Sequence, residues 1–67
     1  MTIDILINAT PFTLPQGSTL AAAIERFGVA GPFAAAVNLE FVPKTLYTST
    51  LLKNGDQIEL ITPITGG

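Results

Sequence analysis

Residues 2–8, Thr-Ile-Asp-Ile-Leu-Ile-Asn, alternate well enough for a strand that places Ile3, Ile5 and Ile7 on one face. Asn8-Ala9-Thr10-Pro11 reads as a turn, because Asn tolerates unusual backbone angles and Pro cannot donate to a ladder. Phe12-Thr13-Leu14 is a short returning strand, stopped by Pro15-Gln16-Gly17, and the two strands make an N-terminal hairpin. The period then changes. Leu20, Ile24 and Phe27 recur at i, i+4 and i+7, with Ala23 on the same side and Glu25 and Arg26 pointing outward. Ser18 or Thr19 is placed to cap this helix, and Gly28 suits the position that ends it.

Gly31-Pro32 separates the helix from the apolar run Phe33-Ala34-Ala35-Ala36-Val37-Asn38. Its alanines suit a helix by propensity, but its short length between Gly-Pro and a polar turn predicts a strand. Leu39-Glu40 turns the chain, Phe41-Val42 forms a short edge segment before Pro43, and residues 44–52 make an irregular connection carrying Tyr47. Asn54-Gly55-Asp56 is a turn, and residues 57–62 alternate as a last strand ended by Pro63. A helix this short persists only when its apolar stripe packs on a sheet. The order ββαββ therefore predicts an α+β fold of β-grasp type. Its mixed sheet has four to five strands with the first and last central, and one main helix packs on one face. The domain spans residues 1–62, followed by a flexible tail, residues 63–67.

Composition narrows what such a domain can do. The chain has 67 residues, 48% hydrophobic and 12% charged, with a formal net charge of −2. A typical globular chain is about 25% charged, so this one is expected to leave apolar side chains on its surface for partners to cover. Only Arg26, Lys44 and Lys53 are positive, which argues against nucleic-acid binding. Cys and His are absent, which removes disulfides, thiolate chemistry, the usual zinc ligands and the commonest general base. Met1 opens directly into a strand pattern, and no apolar stretch is long enough to span a bilayer. A cytoplasmic protein without a membrane anchor is expected. Asp4, Glu25, Glu40, Asp56 and Glu59 fall on different elements and read as solvated charges, so no carboxylate pair is expected. No nucleophile–base pair, metal cluster or phosphate loop is visible, and an autonomous enzyme is the least favoured class.

The candidate chemistry lies at Gly66-Gly67. Neither residue has a Cβ, so the segment can thread a narrow tunnel into another protein's active site. The α-carboxylate of Gly67 is then an open nucleophile toward the α-phosphate of ATP. Five extended residues after Thr62 reach about 17 Å, enough to enter a partner's pocket.

Several stretches together resemble the ThiS-type sulfur carriers of thiamin biosynthesis, within the ubiquitin-like β-grasp group. They are Ala36-Val37-Asn38 followed by Val42-Pro43-Lys44, the aromatic Tyr47, Asn54-Gly55-Asp56-Gln57-Ile58 and the closing Gly66-Gly67. The opening fits as well, through Ile3, Asn8, Leu14-Pro15, Gly17 and Thr19. Ala9 and Leu39 depart from the glycines that often follow the two turn asparagines. The resemblance implies that an E1-like adenylyltransferase, using ATP and magnesium, adenylates Gly67. A sulfurtransferase relay then leaves a thiocarboxylate, from which thiazole synthase takes sulfur. The carrier itself would bind no cofactor.

Alternation also predicts a partner surface. If Ile5, Ile58 and Leu60 face the helix, then Leu6 and Ile61 face away, joined by Ala36 if Ala35 and Val37 point inward. Ile64 in the tail belongs with them, and Tyr47 is either a core plug or a partner contact. Three other readings remain open: a carrier like the small subunit of molybdopterin synthase, a ubiquitin-like modifier joined to lysines, and a β-grasp binding module with an incidental tail.

Overall fold

The computed structural model describes residues 1–29 and 31–62. The expected tail, and with it Ile64, Gly66 and Gly67, lies outside the described residues. Five strands form one sheet: β1 (Thr2–Ile7), β2 (Thr10–Pro15), β3 (Ala34–Val37), β4 (Glu40–Val42) and β5 (Gln57–Ile61), in the order β2-β1-β5-β3-β4. β1 and β5 run parallel near the centre, and every other neighbouring pair is antiparallel. The helix α1 (Leu20–Phe27) supplies the crossover between the two hairpins. This is a small β-grasp fold.

The core follows from alternation. Ile3, Ile5 and Ile7 of β1, Leu14 of β2, Ala35 of β3, Val42 of β4, and Ile58 and Leu60 of β5 are buried on one face. Leu20 and Ala23 of α1 meet them and are fully buried, and Leu52 completes the cluster. Phe27 at the end of the helix meets Phe12 edge-on at 6.0 Å. The Oγ1 of Thr19 accepts a hydrogen bond from the Ala22 N–H, and Gly28 ends the helix at φ 83°. Ser18 is not the cap; its hydroxyl donates to the Pro15 carbonyl.

Several boundaries differ from the sequence expectation, each for a local reason. β2 includes both Pro11 and Pro15. Gln16 donates its N–H inward to the Met1 carbonyl, so the N–H positions of residues 11, 13 and 15 point away from β1. On an edge strand a missing donor there costs no ladder bond. The second hairpin turns at Asn38-Leu39 rather than Leu39-Glu40, because Val37 pairs with Glu40 across a two-residue loop. Both hairpin loops, Asn8-Ala9 and Asn38-Leu39, hold two consecutive residues at positive φ. That geometry matches the right-handed twist of the flanking strands. The connection expected to be irregular contains a 3₁₀ turn, Lys44–Leu46, and its carbonyls serve the helix start. Thr50 O accepts from the Leu20 N–H at 2.8 Å, and Tyr47 O accepts from the Ala21 N–H at 3.0 Å. Two N–H groups that a helix start leaves unpaired are thereby satisfied.

Candidate functional site: the helix-free face and the end of β5

Residues 63–67, the expected tail, follow β5 in the sequence, so what surrounds the end of β5 defines the candidate site. Its buried residues, Ile58 and Leu60, alternate with the exposed Gln57, Glu59 and Ile61 on the helix-free face. The ladder between β3 and β5 sets Ala34 beside Ile61 and Ala36 beside Glu59. The ladder between β3 and β4 adds Phe41 beside Ala36. Phe41 is 69% exposed and Ile61 58%. Ile61 also shares a shallow hollow with Pro32, Phe33 and Ala34, directly where the tail begins.

Leu6 lies on the same face, but beside Gln57. Four strand positions along β5 separate that point from Ile61, about 13 Å. The predicted surface residues thus share a face without forming one cluster. Ile61 and Ala34 stand at one end, Ala36 and Phe41 lie level with Glu59 at mid-strand, and Leu6 stands at the other end beside Gln57. Tyr47 is not on this face. It stacks on Phe33 at 5.9 Å with the rings 13° from parallel, and both pack against the core. Phe33 in turn lines the Ile61 hollow, so Tyr47 supports the rim of the site from behind.

Phe41 and Ala34 are members of this surface that sequence reading left out. The signal was present at Asn38. An Asn opening a two-residue hairpin loop fixes the register, and the register decides which way Phe41 points. With the turn assigned one residue late, Phe41 had no assigned face.

The turn asparagines do more than turn. β1 leaves β5 after Ile7, where an ordinary parallel ladder would continue. There the Asn8 side chain takes the place of a backbone peptide: its Oδ1 accepts from the Leu60 N–H at 2.9 Å and its Nδ2 donates to the Leu60 carbonyl at 3.2 Å. At the other end of β5, Asn38 Oδ1 accepts from the Gln57 N–H, and its Nδ2 donates to Asp56 Oδ1, both at 3.0 Å. Asn54 Oδ1 accepts from the Asp4 N–H at 2.8 Å. β5 is clamped at both ends by side-chain amides, with the Asn8 clamp three residues before the tail. A larger depression of about 440 Å³ opens at the β4 edge among Phe41, Leu46 and Leu51. Asn38 and Asp56 also line it, which places it at the opposite end of β5 from the tail.

Among the described residues no group of three or more Asp or Glu side chains is arranged to hold a metal ion. Nor, among the described residues, is any helix long and apolar enough to cross a membrane.

The geometry is that of other small β-grasp proteins. The structure of a thiamine biosynthesis protein (ThiS) from Geobacter metallireducens superposes with a TM-score of 0.79 at 20% identity, covering 97% of this chain and 100% of that one. No curated protein matches the chain. The ThiS family model matches residues 5–67, from β1 through the diglycine, and the chain therefore belongs to the ThiS family.

Proposed function

We propose that this chain is a cytoplasmic sulfur carrier for thiazole formation in thiamin biosynthesis, acting as a co-substrate rather than as an enzyme. The family match that runs through Gly66-Gly67 carries this reading. A carboxylate is a poor acyl donor until one of its oxygens carries a group that makes it a good leaving group. An E1-like adenylyltransferase holding ATP and magnesium supplies that group. A carboxylate oxygen of Gly67 attacks the α-phosphate, pyrophosphate leaves, and an acyl-adenylate results. A sulfurtransferase relay then displaces AMP, leaving a thiocarboxylate whose sulfur passes to thiazole synthase. No Cys is needed, because the sulfur rides on the terminal carbonyl carbon.

The fold's part is to present the tail. β5 is held on both sides by strands and at both ends by amide clamps, so the tail leaves from a fixed point. Ile61 and Ala34 at that point, with Ala36 and Phe41 two strand positions back from it, supply a docking face for the adenylating enzyme. Gly66 provides the slim approach to the partner's pocket.

The test is intact mass after incubation with ATP, the adenylating enzyme and a sulfurtransferase system from the same source. A gain matching one oxygen replaced by sulfur is expected, and it should vanish when Gly67 is deleted. No gain, with the adenylating enzyme active on another carrier, overturns the reading.

A further inference from the structure

Glu59 occupies an unusual place for a carboxylate. It sits mid-strand on β5, facing out on the helix-free face between Leu6 of β1 on one side and Ala36 and Phe41 on the other. Its cross-strand neighbour is Ala36, with Phe41 beyond it. Glu is depleted in strands, and nothing in the fold calls for it here. The other outward carboxylate of the central strands, Asp4, accepts a hydrogen bond from the Thr13 hydroxyl. Asp56 accepts from Asn38 and from the Lys53 N–H. Among the described residues the Glu59 carboxylate accepts no hydrogen bond and forms no ion pair. None of the chain's three cations lies on a strand: Arg26 is in α1, Lys44 in the 3₁₀ turn and Lys53 in the loop before β5.

On its other side Glu59 borders a hollow of about 270 Å³. β1 ends at Ile7 and turns away, while β5 continues, so the departing strand leaves an open notch beside β5. It is lined by the apolar Leu6, Ala9 and Ile58 and by the polar Asn8, Gln57 and Glu59. The Asn8 amide is already engaged with Leu60. The notch thus joins the apolar side chains of Leu6 and Ala9 to a carboxylate that has no partner among the described residues. That combination suits a long side chain with an aliphatic stem and a cationic head.

We propose that this notch receives a lysine or arginine of the adenylating enzyme, and that Glu59 is a specificity-determining residue of the docking face. The inference rests on the carrier reading above. Charge on the surface contributes to orientation and encounter rate, and the sheet face then docks in the register that points the tail at the partner's pocket.

The experiment measures ATP–pyrophosphate exchange by the adenylating enzyme from the same source, with the full chain as the varied substrate, from low to high sodium chloride. Glu59→Gln and Glu59→Lys are compared with wild type and with Glu25→Gln, whose exposed carboxylate lies on the helix. Thermal melts establish that each variant is folded. The expected result for E59Q is a KM raised roughly tenfold with kcat retained. A larger rise is expected for E59K and none for E25Q. The KM of wild type should also climb more steeply with salt than that of E59Q. An E59Q variant with unchanged KM and unchanged salt dependence overturns the proposal, as does an equal loss in E25Q. Absence of exchange with wild type itself overturns the carrier reading and this proposal with it, and is distinguishable because the failure is in the unmodified chain.

Discussion

Asn8→Gly removes the amide that bridges β1 to β5 and leaves the turn itself comfortable. Asn8 sits at φ 50°, which Gly adopts without strain. The loss is then confined to two hydrogen bonds, at 2.9 and 3.2 Å in a partly buried position, together with the greater freedom of Gly in the unfolded chain. At a net 0.5–1.5 kcal/mol per bond, the pair is worth about 1–3 kcal/mol. A chain of this size is stable by about 3–10 kcal/mol in all, so the change removes a sizeable fraction. In urea, with a slope near 1 kcal/mol/M for so small a domain, the midpoint should fall by about 1–3 M. Hydrogen exchange gives the local readout. The Leu60 amide loses its acceptor and should exchange faster, relative to Ile58, than global destabilisation alone explains. A midpoint within a few tenths of a molar of wild type, with Leu60 protection intact, would refute the view that Asn8 continues the ladder.

Ala9→Gly and Leu39→Gly should each stabilise the protein by about 0.5–1 kcal/mol. Both residues stand at positive φ, 66° and 70°, where a side chain costs about 1–2 kcal/mol and the entropy of Gly returns part of the gain. Thermal melts should rise by about 4–8 °C per kcal/mol, and the turns are separate enough for the effects to add. A double-mutant cycle on Phe33→Ala and Tyr47→Ala should give a coupling of about 0.5–1.5 kcal/mol, from the stacked pair; zero coupling would remove Tyr47 from its supporting role. Ile61→Glu should weaken transfer to the adenylating enzyme more than Leu6→Glu, because Ile61 borders the tail, with both variants near wild-type stability; equal, unchanged transfer rates would dismiss the apolar face as a docking surface.

Much of this protein is local. The 3.6-residue spacing of Leu20, Ile24 and Phe27 between Thr19 and Gly28 determined the helix and its inward face, and the cap residues set its limits. The period-2 alternation at Ile3, Ile5, Ile7, Ile58 and Leu60 determined which side of the sheet is core, since a strand with one buried face has only one workable register. The diglycine and the motifs around Asn38 and Asn54 pointed to the family. Tertiary structure decided the rest, because it depends on partners far apart in sequence. Residues 44–52 carry no period of their own; their carbonyls gain a role only when the start of α1 lies beside them. Asn8 reads as a turn residue until β5 arrives 52 residues later to meet its amide. Phe41 faces outward because Val37 pairs with Glu40, and Glu59 borders a notch because β1 ends where β5 does not. Side-chain periodicity is written within each segment, whereas the surface left open between segments exists only once the strands have paired.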